Sequence, residues 1–260
     1  METILAMFSA NKNQHKMNEL VDQYNRKIKK LRVSLTDRCN LRCGYCMPVD
    51  SKFMSEEKLL QANQYVSIVS ELIDYGLEEI RLTGGEPLMR GSFSEIVDRL
   101  GTLPLKKISM TTNAMFLGRH LQTLKRNGIN SINVSLDSLN EEKYKKITYG
   151  GQLKKVLKNI DMAREYGLTI KINVVAMRGI NEQEVEDFIR LSAEKNIEVR
   201  FLELMRIGFV CSRQNDQFIS AKEIIGRIKQ THEMKSLLRE KSSTSFNYIL
   251  EGKATDVQIE

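Results

Sequence analysis

The chain has 260 residues, of which 41% are apolar and 28% charged, with a formal net charge of +7; this is the composition of a globular domain, not of a disordered or collagenous chain. No apolar run reaches the roughly 18 residues a bilayer span needs, and the opening METILAMFSA lacks the basic leader and cleavage site of a secretory signal, so a cytoplasmic protein is expected. Three of the four cysteines fall within eight residues, which argues for metal and against structural disulfides, while the dispersed Lys and Arg read as solvated helix faces, with no membrane or nucleic-acid partner expected.

Residues 1–28 show no periodicity and are expected to form an N-terminal extension, ordered only in part. Met17 would serve as a start as well as Met1. From residue 29 onward short β-rich runs alternate with helical ones. The strands read at 29–36, 78–84, 106–112, 131–138, 169–177 and 198–205, and the helices at 55–75, 92–102, 118–127, 153–166, 181–195 and 220–231. Ser55, Asn181 and Ser220 stand at helix starts, and Gly76, Gly128 and Gly167 just past helix ends. Six strand–helix units in series predict an α/β fold with a parallel sheet and right-handed crossovers. No Gly-x-Gly-x-x-Gly follows the first strand, which disfavours a dinucleotide fold. A partial (β/α)6 barrel of the TIM type is expected over 29–232, with outer helices and a short C-terminal segment at 233–260.

Side chains alternate faces along a strand. One row is apolar: Leu31, Val33 and Leu35, then Ile80 and Leu82, with the same phase in the next three strands. The other is polar: Arg32 and Ser34; Arg81 and Thr83; Ser109, Thr111 and Asn113; Asn133, Ser135 and Asp137; Lys171 and Asn173. With the apolar row on the helices, the polar row lines a lumen that suits a charged ligand, unlike the aliphatic filling of a closed barrel. An antiparallel sheet with one wet face is the alternative, and the intervening helices argue against it. Parity does not assign the faces of the sixth strand.

The first strand leads into Thr36-Asp-Arg-Cys39-Asn-Leu-Arg-Cys43-Gly-Tyr-Cys46, at the barrel end where ligand sites lie. Cys39, Cys43 and Cys46 suit an iron–sulfur cluster and are too few for a closed zinc site; His15, His120 and His232 are scattered. Three ligands to four irons leave one iron open to a substrate or cofactor. Arg38 and Arg42 can stabilise thiolates. Cys211, alone in an irregular stretch, reads as a bystander. The second strand ends in Leu82-Thr-Gly-Gly-Glu-Pro-Leu88, where two glycines allow a ligand close to the backbone.

The C-x3-C-x2-C motif with Tyr45 before its last cysteine resembles the radical S-adenosylmethionine (SAM) superfamily. The resemblance implies one [4Fe-4S] cluster on the three cysteines. It further implies that SAM is chelated at the open iron and cleaved by one electron to methionine and a 5′-deoxyadenosyl radical. It places Tyr45, the motif Gly84, Gly85 and Glu86 (receiving the methionine amino group), Ser135 and the Met205 backbone (at the adenine) around SAM. More narrowly, LRVSLTDRCNLRCGYCMP, LTGGEPLMR, SMTTNA, INVSLDSL, IKINVVAMRGIN and VRFLELM, in this order, resemble the GTP 3′,8-cyclase family of molybdenum cofactor biosynthesis, over about residues 22–232. That resemblance implies GTP held partly by Arg32, Arg81, Thr111 and Lys171, hydrogen abstraction at the ribose 3′ carbon, and attack on guanine C8 to give (8S)-3′,8-cyclo-7,8-dihydroguanosine 5′-triphosphate. The implied partners are GTP or another anionic small molecule, an electron donor such as flavodoxin or ferredoxin, and a second copy of the chain in a homodimer.

The resembling cyclases carry a second three-cysteine cluster near the C-terminus, and no such cysteines follow here. Three expectations stand: a shortened GTP 3′,8-cyclase with impaired cyclisation, a single-cluster relative acting on a peptide or other nucleotide, or a non-catalytic remnant.

Overall fold

The strand alternation sets the architecture. A computed structural model describes residues 19–205, 215–238, 245–250 and 256–259; Met1, Met17, His15 and Cys211 lie outside them. Six strands run parallel in chain order: β1 (Lys30–Ser34), β2 (Glu79–Thr83), β3 (Lys107–Thr112), β4 (Ser131–Ser135), β5 (Thr169–Ala176) and β6 (Glu198–Glu203). Among them stand α1 (Ala62–Asp74), α2 (Phe93–Leu100), α3 (Leu121–Arg126), α4 (Glu141–Thr148), α5 (Leu153–Glu165) and α6 (Val185–Lys195), with α7 (Ala221–Ile228) after β6. The apolar row packs on these helices: Ile80, Leu82, Met110, Ile132, Val134 and Ile172 share one core with Val69, Ile96, Val156 and Phe188. Each such side chain stabilises the fold by about 1.5–3 kcal/mol. The polar row occupies the opposite face, as expected.

Strand six resolves in the same way. Val199 and Phe201 are fully buried, and Phe201 meets Phe188 of α6 edge-on with ring centroids 6.2 Å apart. Glu198 and Arg200 therefore take the polar face.

Helix ends follow the sequence signals in part. Gly76, Gly128 and Gly167 all have positive φ, and the next residue closes each end, Leu77 N donating to Leu72 O at 3.0 Å in the first case. Ser220 caps α7, accepting from Glu223 N at 3.2 Å. Ser55 heads only a 3-10 turn and makes no side-chain cap; α1 begins at Gln61, whose amide forms a reciprocal box with Gln64. Asn181 is not a cap either. Its side chain donates to Asp137 O (2.6 Å) and Val175 O (2.8 Å) and so ties β4 to the end of β5.

Two features were not anticipated. The helix α4 fills what reads as loop between the fourth strand and the following helix. The segment 233–260, expected as a short extension, adds β7 (Met234–Ser236), β8 (Phe246–Leu250) and β9 (Asp256–Ile259) to the sheet. The order among described residues is β1-β2-β3-β4-β5-β6-β9-β8-β7, with β9 parallel to β6 and β7 and β8 forming antiparallel pairs. Leu250, Val257 and Ile259 join the core beside Ile224 and Ile228 of α7, which is why this segment pairs instead of trailing. At the other terminus, residues 19–28 form a turn held to α1 by Leu20 N donating to Tyr75 O at 3.0 Å.

Candidate active site

Beyond β1 the chain crosses the C-terminal end of the sheet as the cysteine loop, and main-chain bonds hold it on two sides. On one side Gly85 N donates to Thr36 O (2.7 Å) and Glu86 N to Arg38 O (2.8 Å). On the other, Arg42 N donates to Thr148 O (3.0 Å) and Gly44 N to Ile147 O (3.2 Å). These are the last carbonyls of α4, which a helix end leaves unpaired. Arg42 braces the loop from within, donating to Cys39 O at 2.6 Å and Leu41 O at 2.9 Å while its guanidinium lies over Phe53. Arg38 likewise reaches a backbone carbonyl, that of Met54. Both arginines thus spend donors on main chain, and the Arg42 charge still favours the Cys39 thiolate.

The two glycines receive a close neighbour, but it is the protein itself. A Cβ at Gly84, where φ is +151°, would stand 2.4 Å from Thr36 O, and one at Gly85 only 2.3 Å from Arg38 O. Glycine here lets the cysteine loop lie flat on the end of β2. Glu86 is turned inward, 1% exposed, and accepts from Thr112 Oγ1 (2.6 Å), Asn113 N (2.7 Å) and Leu88 N (3.2 Å). Burial pushes its carboxyl up to about 7 against those three bonds. Its carboxylate fastens the end of β3. Asn113, given no role from sequence, then links β3 to the loop, donating to Asn40 Oδ1 at 2.9 Å with Cys39 Sγ at 3.9 Å.

Tyr45 stands on a second small core of Ile147, Met177 and Leu204. Its hydroxyl donates to Asp137 Oδ2 at 2.7 Å, and Asp137 Oδ1 accepts from Val175 N at 2.9 Å. Burial pushes Asp137 up to about 6 and drives the Tyr45 phenol upward as well. Sequence placed Asp137 in the polar row without a partner; only the folded loop supplies one.

Below the loop the polar face is built in rungs. Arg32 pairs in register with Arg81, and Arg81 with Ser109. One rung nearer the loop, about 6.6 Å along the strands, Thr111 stands beside Asn133 and Asn133 beside Lys171. The next rung holds Ser135, Asn173, Arg200, Gln258 and Asn247. The fold thus brings the four residues expected at a phosphate substrate onto two adjacent rungs, with Ser135 above them. Lys171 is paired with Glu198, which also takes Arg200 Nε at 2.6 Å. Arg81 Nε lies 3.4 Å from Ser109 Oγ. Arg200 was missed because the alternation that would expose it ends at Leu202. Met205, just past β6, is 69% exposed.

The donor set fits a cluster. Cys39 and Cys43 are half-buried, Cys46 is exposed, and none is in a disulfide. The three sit close enough that Cys46 acts on the other two electrostatically, and burial raises all three thiols. Loading metal therefore means releasing protons. Among the described residues no three His, Cys, Asp or Glu side chains converge on a single ion. A lone tetrahedral ion with bonds near 2.3 Å needs its sulfurs only about 3.8 Å apart, whereas a four-iron cubane carries each thiolate on a separate iron and spaces them wider. A cluster suits three sulfurs on one loop.

A family profile, the radical SAM superfamily, matches residues 33–192. The GTP 3′,8-cyclase of Synechocystis sp. is 49% identical over 229 residues, which are 88% of this chain and 70% of that protein. The GTP 3′,8-cyclase of Alkaliphilus oremlandii is 43% identical over 234 residues, 89% of this chain and 72% of that one. In fold, the crystal structure of Streptococcus suis SuiB bound to precursor peptide SuiA is similar with a TM-score of 0.66 at 16% identity, over 78% of this chain and 46% of that one. The chain belongs to the radical SAM superfamily, whose cofactors are a [4Fe-4S] cluster and S-adenosylmethionine, and within it to the GTP 3′,8-cyclase family.

Proposed function

We propose that the chain converts GTP to (8S)-3′,8-cyclo-7,8-dihydroguanosine 5′-triphosphate in molybdenum cofactor biosynthesis. The observation that carries this reading is the register: Arg32 with Arg81, and Thr111 with Lys171 two strands apart, on successive rungs of one face beneath the cysteine loop. Cationic side chains on one face suit a triphosphate, and Arg200 adds a fourth cation from β6. When bound, the cluster and SAM supply a one-electron cleavage whose organic radical removes the ribose hydrogen.

The chain's own residues hold and orient. Cys39, Cys43 and Cys46 take the iron. Tyr45, the main chain of Gly84, Gly85 and Glu86, Ser135 and the Met205 backbone border the space for SAM. Glu198, seated between Lys171 and Arg200, keeps both cations extended over the face until phosphate oxygens compete for them.

An electron carrier such as flavodoxin or ferredoxin is the redox partner in this reading. A cleft of about 590 Å³ beside Gly44 and Tyr45, edged by Lys143, Lys146 and Tyr149, gives it access to the loop. No described helix is long and apolar enough to cross a membrane, and a thiol-ligated cluster suits the reducing cytoplasm. A homodimer completes the proposal and is read by light scattering.

The test is anaerobic reconstitution with iron and sulfide, then dithionite and SAM, with deoxyadenosine and cyclised nucleotide assayed with and without GTP. Deoxyadenosine that rises with GTP, together with the cyclised triphosphate, is expected. SAM cleavage that ignores GTP sinks the substrate assignment, and a chain that takes up only zinc sinks the reaction class.

A further inference from the structure

The C-terminal strands carry the polar face past β6. Val257 and Ile259 of β9 and Leu250 of β8 are fully buried, and Tyr248 packs on the same core. The alternate positions, Gln258 and Asn247, therefore take the other face of the sheet, that of Arg200. Register sets them in line: Arg200 stands beside Gln258, and Gln258 beside Asn247. Strand spacing puts the two amides about 5 and 10 Å from Arg200, whose Nε is held by Glu198 Oε1 at 2.6 Å.

Neither amide serves the fold. Gln258 makes no side-chain hydrogen bond among the described residues, and Asn247 Oδ1 is closed off from solvent without a donor. Such an unmet acceptor is destabilising, and Val or Thr would suit both strand positions better. Asn173, on the other flank of Arg200, has the same unmet end but adjoins Ser135, on the side given to SAM. The terminal torsion of an Asn is soft, so a ligand on the face can draw the Asn247 oxygen out. A side-chain amide sets an acceptor and a donor side by side in one plane, the pattern that reads a nucleobase edge. With its phosphates on Arg200, a nucleotide brings its base within reach of the next two strands. We propose that Gln258 and Asn247 determine base specificity by binding the guanine edge of the substrate. Gln258 meets O6 and N1–H, and the unmet oxygen of Asn247 accepts from the 2-amino group. The inference rests on the GTP reading.

The full chain, Asn247→Leu and Gln258→Leu are reconstituted anaerobically with iron and sulfide. Calorimetry then measures binding of GTP, of ITP, whose base lacks the 2-amino group, and of inorganic triphosphate. The parent is expected to prefer GTP to ITP about tenfold, the worth of one well-made hydrogen bond. Asn247→Leu should erase that preference by weakening GTP alone. Gln258→Leu should weaken GTP and ITP together, about tenfold. Inorganic triphosphate, having no base, should bind all three chains alike. A parent without the preference, an Asn247→Leu chain that keeps it, a Gln258→Leu chain with unchanged GTP affinity, or an equal loss for all three ligands overturns the inference and leaves the GTP reading intact. A parent that binds no GTP overturns both. Gln258 is partly exposed, so its variant keeps the inference open to refutation even where the Asn247 variant fails to fold.

Discussion

Glu86 illustrates how a single carboxylate can cost stability while organising a site. Its ordinary value of 4.5 is raised to about 7 in the fold by burial, so the folded chain holds this proton more tightly than the unfolded one. Its contribution to stability is fully present below pH 4.5 and is lost as pH climbs through 7, on the order of 3 kcal/mol in all. Asp137 acts in the same sense between 3.8 and about 6. Urea unfolding of metal-free protein at pH 5 and pH 8 should show the decline, and Glu86→Gln should flatten it. Cys43→Ala should abolish iron loading, read as iron per chain. Lys171→Ala should leave that loading intact and weaken GTP binding by calorimetry about tenfold, or 1.4 kcal/mol; equal affinity removes Lys171 from the substrate face. The thiols were legible because their spacing is itself the chemistry. Asp137 and Asn113 were legible only as polar-row members, since their partners Tyr45 and Asn40 arrive from a loop whose path no local pattern encodes.

The element that matters most beyond the strands is α4. Its eight residues bury only Tyr144, Ile147 and Thr148, so it carries too weak a periodic signal to stand out from loop. Its start was nonetheless written: Asn140 accepts from Lys143 N at 3.0 Å, and Glu141 and Glu142 fill the first turn. Asn140→Ala should cost about 1 kcal/mol and speed iron loss to a chelator, because the far end of α4 carries the cysteine loop. Gly85→Ala should do more. Its methyl group would displace the Arg38 carbonyl, so iron content should fall even where circular dichroism shows the fold retained. Face assignment succeeded where alternation persisted and stalled at β6, itself read as a strand, where Leu202 follows Phe201 and faces Val175 across the strand pair.

Across the whole molecule, the predicted order of six parallel strands holds because each pairs with its sequence neighbour. The three C-terminal strands escaped notice for lack of helices between them and for their shortness. A chain of net charge +7 with Arg32, Arg81, Lys171 and Arg200 on one face of its sheet should bind a triphosphate less tightly as salt rises; calorimetry at 50 and 300 mM salt would read this, and a flat response would count against the cationic face as the phosphate site. The moorings of the cysteine loop carry a last consequence. Those on β2 and on α4 are backbone amides meeting backbone carbonyls, and none of these passes through a sulfur. Stripping the metal should therefore leave a vacant but intact nest, and damage by air should be repaired by refilling it, without the chain having to fold anew.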